Sequence, residues 1–295
     1  MASIPGRFLS EFHNHHNLSD MPDYVYPKIS IVMPSFNQAA FIERSILSVI
    51  NQNYPELEFI VIDGGSTDGT IEIVRKYEKH ISFWMSESDQ GQSDALNKGF
   101  THATGDIYGW LNSDDLYMLG VFKLAAMAFS KFPEKRIVFG DWMTVDANDR
   151  TISREFAFDF NLNHFKYEGF HLNSQSMFWR SEVHHRFGHF DKRLHRTMDY
   201  QLILSFGMKE GDSCFLRVPH ILGCFRRYEG QKTNGMSEAV RKEHKLMADS
   251  YGYEDKYRLS GKLKRLIYRT RRAYWYLKRG GFFFCLQKLR TCIKN

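Results

Sequence analysis

At 295 residues the chain has room for one large domain with an extension, or for two small ones. An apolar share of 43% and a charged share of 25% exclude a disordered or fibrous polymer, and no run reaches the roughly 18 apolar residues of a membrane-spanning helix. The net charge of +6 is unevenly placed: all 34 acidic residues precede Lys256, whereas 13 of the 40 basic ones lie between there and Asn295, so a mildly acidic body carries a strongly basic tail.

Residues 1–26 read as a polar N-terminal arm. His13, His15 and His16 lie close together there, but no carboxylate or cysteine is spaced to complete a metal site, which favours a solvated segment. The N-terminus has no apolar core of signal-peptide length. Cys214, Cys224, Cys285 and Cys292 have neither CxxC spacing nor a disulfide framework, so the expected setting is reduced and cytoplasmic.

From Pro27 the pattern becomes regular. Ile29 to Met33 is an apolar run closed by Pro34, as in an inner parallel strand. Phe41, Ile42, Ser45, Ile46, Val49 and Ile50 recur at helical spacing. Phe59 to Ile62 predicts a second strand, ended by the turn Asp63-Gly64-Gly65-Ser66-Thr67-Asp68-Gly69-Thr70, which offers Asp68 as a cap for the next helix. Phe83 to Met85 is a short third strand, Gln92 to Phe100 a helix and Ile107 to Leu111 a fourth strand. This alternation predicts βαβ units and a mostly parallel sheet flanked by helices. The second half is less regular. Helices are expected at Val121 to Phe132, Tyr200 to Met208 and Ser237 to Tyr251, and strands at Ile137 to Gly140, Ser176 to Trp179 and Ile221 to Phe225.

Three strand ends carry polar clusters: Pro34-Ser35-Phe36-Asn37, Asp63 to Thr70, and Asn112-Ser113-Asp114-Asp115. In a parallel sheet these ends lie side by side and line one crevice. Paired carboxylates there suit a hard divalent cation and the phosphates it bridges.

With these motifs in view, Ile29 to Tyr117 resembles the nucleotide-sugar half of family-two glycosyltransferases, inverting enzymes of GT-A fold that act in bacterial surface polysaccharide synthesis, lipopolysaccharide or capsule among them. The matching residues are Pro34-x-Phe36-Asn37, Val61 to Thr70, Gly91-Gln92-Ser93-Asp94-Ala95-Leu96-Asn97-Lys98-Gly99, Gly105-Asp106 and Asn112 to Asp115; a looser match runs to about Thr233. The resemblance implies a donor half at 27–116, an acceptor half at 117–235 and a helical, basic extension at 236–295. It also implies that Phe36 packs on the nucleoside base beside Pro34 and Asn37, and that Asp63 and Gly64 lie at base or ribose. Asp94 would lie near ribose and phosphates. Beside Asn112, Asp115 would be the direct ligand of Mn²⁺ or Mg²⁺, with Asp114 at metal, ribose or sugar. Phe36 as a core aromatic and Asp63 as a turn former remain open. Two departures stand out. Gly64 takes a place where many relatives carry a second carboxylate that reads uracil, and Leu96 precedes Asn97 where many have Arg.

A transferase also needs a base for the acceptor hydroxyl. Asp199, in Thr197-Met198-Asp199-Tyr200, starts an apolar helix. That position fits a helix cap as well as a base, and the resemblance favours the base. One base without a second nucleophile implies inversion. Gln175 and Ser176 are expected at the acceptor site, and Arg226, Arg227, Gln231 and Lys232 over the diphosphate, although ordinary surface charges would look the same. Phe178 and Trp179 read as core.

In the tail, basic residues interleave with Leu266, Ile267, Tyr274, Trp275, Leu277 and Phe282 to Phe284. This suits a helix lying on an anionic membrane, with Gly280-Gly281 dividing it in two. A packed appendage is the plainer alternative, and nucleic-acid binding lacks a recognition fold. The expected partners are a nucleotide-sugar, most simply a UDP-sugar, and a glycan or lipid-linked acceptor on the inner face of a cell membrane. A nucleotidyltransferase of related fold would want a Gly-rich basic loop after the first strand, which Pro34 to Asn37 lacks. An inactive sugar- or membrane-binding module is disfavoured by the retained Asp114, Asp115 and Asp199.

Overall fold

The computed structural model describes residues 25–168, 172–232, 238–254 and 259–293, with backbone alone from 279 onward. The His13, His15 and His16 cluster and the side chains of Cys285, Cys292 and Phe282 to Phe284 lie outside the described residues.

Strand β1 (Ile29–Ser35) is buried along its whole length, since strands lie on both its edges and helices on both its faces. Helix α1 (Ile42–Ile50), β2 (Leu57–Asp63), α2 (Thr70–Lys76), β3 (Phe83–Ser86), α3 (Gln92–His102) and β4 (Ile107–Trp110) follow in chain order. β3, β2, β1 and β4 are neighbours and all parallel, with Ser35 opposite Asp63 and Val32 opposite Trp110. The polar ends after these strands therefore share one edge of the sheet. Side chains alternate between faces with a period of two. Val32, Ile60, Ile62, Tyr108 and Trp110 enter one core with α3, while Ile31, Met33, Phe59 and Val61 enter the other with α1.

Next come β5 (Leu116–Tyr117), α4 (Val121–Lys131), β6 (Ile137–Val145), β7 (Thr151–Glu155), α5 (Leu162–Glu168), β8 (Met177–Arg180), α6 (Ser181–Phe187), α7 (Met198–Glu210) and β9 (Phe215–Arg226). The full order is β3-β2-β1-β4-β8-β6-β9-β5, with β7 on β6. The parallel expectation holds for the first four strands and for β6 with β9; β8, β7 and β5 pair antiparallel, so the sheet is mixed. β5 and β7 escaped the sequence pattern for physical reasons. One has two residues, and the other is largely exposed and has no apolar period. Phe178 and Trp179 are fully buried, as read.

β9 runs the length of the second half and returns its end to the first, pairing Cys224 with Leu116. Gly223 permits this crossing, because a Cβ there would sit 2.3 Å from the Gln175 carbonyl oxygen and 2.9 Å from that of Leu116. Backbone cannot give way cheaply, so Gly223→Ala is expected to cost about 1–3 kcal/mol. Chemical denaturation measures it; an unchanged midpoint would contradict this packing.

Helices α8 (Glu238–Tyr251) and α9 (Leu259–Ile293) form the C-terminal extension. α9 is continuous for 35 residues and passes through Gly280 and Gly281 without the expected break. Each interior glycine costs about 1 kcal/mol relative to alanine, which a helix of this length can absorb. One face of α9 packs on α5: Glu168 pairs with Arg272 at 2.6 Å and Arg269 at 3.6 Å, and Tyr268 stacks on Tyr167.

Candidate active site

A cavity of about 640 Å³ opens at the shared strand edge. Pro34, Phe36 and Gly64 line it from the ends of β1 and β2, Asn112, Ser113 and Asp114 from the turn after β4, and Gln175, Met198 and Asp199 from the second half; His195, Arg196, Tyr228, Gln231 and Lys232 reach in from the loops around α7 and after β9.

The turn after β4 separates its two carboxylates. Asp115 N–H donates to the Asn112 carbonyl (3.1 Å), and this tight turn sends the neighbouring side chains in different directions. Asp114 faces the cavity, where its Oδ2 accepts the Tyr228 hydroxyl (2.9 Å). Asp115 is fully buried; it accepts Arg226 N–H (2.9 Å) and the Asn112 amide (3.1 Å) and does not line the cavity. Of the two carboxylates, Asp114 opens to the cavity and Asp115 does not. Burial raises both carboxyls above the usual range, and for Asp115 the Asp114 charge adds to the rise. Asn112 lines the cavity while accepting Gln92 Nε2 (2.7 Å) and Trp110 Nε1 (2.8 Å).

Three other expected donor residues, Asn37, Asp63 and Asp94, do not line the cavity. Asp63 accepts the Gly65 and Ser66 amides and the Ser86 hydroxyl, so its carboxylate braces its own turn. The left-handed Gly65 (φ 86°) makes that turn possible. Asn37, also left-handed, accepts Thr67 N–H and locks the loop after β1 to this turn. Asp94 is held by Lys192 (2.6 Å), which lowers its carboxyl below the usual range; it braces the start of α3 and lines no part of the cavity. Phe36, by contrast, keeps 59% of its surface exposed at the cavity and is no core aromatic.

On the acceptor side, Gln175 lines the wall, whereas the Ser176 hydroxyl is engaged by Asn173 N–H and is wholly buried. Arg226 is fully buried too. Its guanidinium ties the Asp114 carbonyl (2.7 Å) to Asp149 and so fixes the turn rather than facing a ligand. Arg227 is exposed and outside the cavity; of the three basic residues expected at the diphosphate, only Lys232 lines it.

Asp199 lies in the first turn of α7 on the cavity wall. Desolvation raises its carboxyl to about 6, with Glu243 adding to the rise and Lys232 opposing it. Glu243, from α8, accepts the amides of His195 and Arg196 and the Thr197 hydroxyl, and so holds the residues just before Asp199. Sequence reasoning passed over Tyr228, Asp89, His195, Arg196 and Glu243. Only Tyr228, adjoining the basic pair 226–227, had a local signal.

Among the described residues no three His, Cys, Asp or Glu side chains gather into a metal cage. The oxygens still suit a hard cation. Asp114 offers a carboxylate whose charge burial disfavours, and such ions commonly take one or two carboxylates with the remaining ligands from phosphates and water.

The fold belongs to the GT-A class of α/β transferase domains: superposition on the structure of S. aureus TarS 1–349 in complex with UDP-GlcNAc gives a TM-score of 0.61 at 17% identity, over 86% of this chain and 74% of that one. The Glycosyl transferase family 2 model matches residues 30–188, and the chain belongs to that family. An uncharacterized glycosyltransferase of Haemophilus influenzae is 40% identical over 92 residues, and the putative teichuronic acid biosynthesis glycosyltransferase TuaG of Bacillus subtilis 38% over 92 residues, in each case 30% of this chain. The matches span 37% and 36% of those relatives.

Proposed function

We propose that this protein is an inverting glycosyltransferase of hexosyltransferase type. It moves a sugar from a nucleoside-diphosphate donor, UDP-linked, to a hydroxyl of a glycan or lipid-linked saccharide in surface polysaccharide synthesis. The observation that carries this reading is the pairing on one cavity of Asp114 with Asp199, a carboxylate whose raised pKa suits a base near neutral pH. The UDP-GlcNAc complex of the solved neighbour supports a uridine donor.

The base of the donor would lie at Phe36 and its diphosphate towards Asp114, Lys232 and Arg196. Asp114 would hold a divalent ion, Mn²⁺ or Mg²⁺, which supplies neutralisation of the negative charge that builds on the departing diphosphate. The acceptor hydroxyl attacks the anomeric carbon opposite the leaving group. Its proton passes to an Asp199 carboxylate oxygen as the new C–O bond forms. The old C–O bond gives its electron pair to the β-phosphate oxygen, and the anomeric centre inverts. Thr197 and α7 hold Asp199 at the wall, while Lys232 and Arg196 offset charge on the phosphates. Slow donor hydrolysis tests the reading: UDP-, GDP- and dTDP-sugars are incubated with the full chain, with and without Mn²⁺. Metal-stimulated release of one nucleoside diphosphate is expected, and release from none under any condition would contradict it.

The tail supports a lipid-linked acceptor. No helix among the described residues is long and apolar enough to cross a membrane. On α9, Leu259, Leu263, Leu266, Tyr274 and Leu277 are exposed and, at 3.6 residues per turn, form one stripe. Lys262 and Arg269 flank it on one side, Arg271 and Lys278 on the other. A second copy would set like charges against each other, whereas an anionic bilayer complements them. Leu263→Glu with Leu266→Glu is expected to lower co-sedimentation with phosphatidylglycerol vesicles by about tenfold or more. Equal binding of both proteins, or of the parent protein to neutral vesicles, would contradict docking.

A further inference from the structure

Two residues compete for one place at the Phe36 end of the cavity. A Cβ on Gly64 would lie 2.9 Å from Asp89 Oδ2 and 3.1 Å from its Cγ, nearer than a carbon tolerates. The glycine leaves room there, and the Asp89 carboxylate fills it on the cavity wall. The place adjoins the end of β1, since Gly64 N–H donates to the Ser35 carbonyl (2.8 Å), next to the exposed ring of Phe36.

Asp89 is fixed in position. Gly91 N–H donates to its Oδ1 (2.7 Å), Glu87 N–H to the Asp63 carbonyl (3.1 Å), and Gly65 packs against the Ser88 amide. Oδ1 thus has a backbone partner, and Oδ2 is the oxygen nearest the space above Gly64. An ionised carboxylate only accepts hydrogen bonds. Set beside a flat apolar ring, it suits the edge of a heteroaromatic base that presents a ring N–H. Uracil, thymine and guanine present one; cytosine and adenine present a lone pair at the equivalent ring nitrogen, which a carboxylate repels.

We propose that Asp89 is the base-reading residue of the donor site, accepting the ring N–H of a uracil-, thymine- or guanine-type nucleotide across the space that Gly64 leaves open. The proposal rests on the donor reading above. It assigns base selection to the loop after β3 rather than to the buried Asp63.

Calorimetric titration of UDP, GDP, dTDP and CDP against the full chain with Mn²⁺ tests it. The parent protein is expected to bind the best of the first three at least about tenfold tighter than CDP. Asp89→Asn, whose amide also donates, is expected to reduce that ratio by about 10–100-fold at an unchanged melting temperature. The exchange Gly64→Asp with Asp89→Gly is expected to restore much of it. As a check that needs no variant, the ring N–H proton of the bound base should appear downfield in NMR spectra of the parent complex and exchange slowly with water. An Asp89→Asn protein that keeps the parent's ratio, or a bound base whose ring N–H exchanges freely, would overturn the assignment while leaving the donor reading intact. Failure of the parent protein to bind any nucleoside diphosphate would overturn both.

Discussion

Asp199→Asn is expected to lower sugar transfer by about 10²–10⁴-fold, the usual worth of a positioned general base, while nucleotide binding stays within about twofold of the parent. The substitution keeps shape and the oxygen that accepts Tyr200 N–H (2.7 Å), so the start of α7 should survive it. Loss of rate without loss of donor binding separates the base from the helix cap. A pH profile sharpens the distinction. Only the ionised carboxylate takes a proton, and burial has moved its pKa from the ordinary acidic range up to about 6. Transfer should therefore be nearly full at pH 7 to 8, half-maximal near pH 6, and fall about tenfold per unit below that. A profile flat down to pH 4.5 would remove Asp199 from the proton transfer.

Asp114→Asn is expected to lower transfer by about 10²–10³-fold and to make nucleoside-diphosphate affinity insensitive to Mn²⁺, since the charge that would hold the ion is gone. The Tyr228 hydroxyl keeps an acceptor in this variant, and removing a buried charge costs the fold nothing, so the melting temperature should hold or rise. The neighbouring substitution Asp115→Asn should do the reverse. Its oxygen can still accept Arg226 N–H, but its NH2 then meets the Asn112 amide donor against donor, which should lower the melting temperature while leaving the metal response in place. Mn²⁺ titrations of the two variants side by side decide which carboxylate meets the metal. A metal response lost in the Asp115 variant and kept in the Asp114 variant would reverse the assignment.

The strand ends, the helix-start Asp199 and the parallel first half were legible because inner parallel strands show as unbroken apolar runs, and such sheets bind at their carboxyl edge. Which polar residue of each cluster would face the ligand was not. Asp63, Asp94 and Asp115 share composition and neighbourhood with Asp114, and they differ only in being spent on backbone amides, Lys192 or Arg226. Those partners lie up to 111 residues away along the chain. Tyr228 and Glu243 reach the site through contacts 114 and 46–48 residues away, for which local periodicity has no signal. Gly64 reads locally as a turn residue. Its packing against Asp89 appears only once β2 and the loop after β3 are adjacent.

The central claim, a nucleotide-sugar donor bound in the cavity through an ion at Asp114, beside Asp199 as the acceptor's base, is tested most directly by calorimetric titration of the full chain with UDP. The account predicts one site per chain that tightens on adding Mn²⁺ and loses that tightening in Asp114→Asn. No heat of binding for UDP, GDP or dTDP, with or without metal, would contradict it.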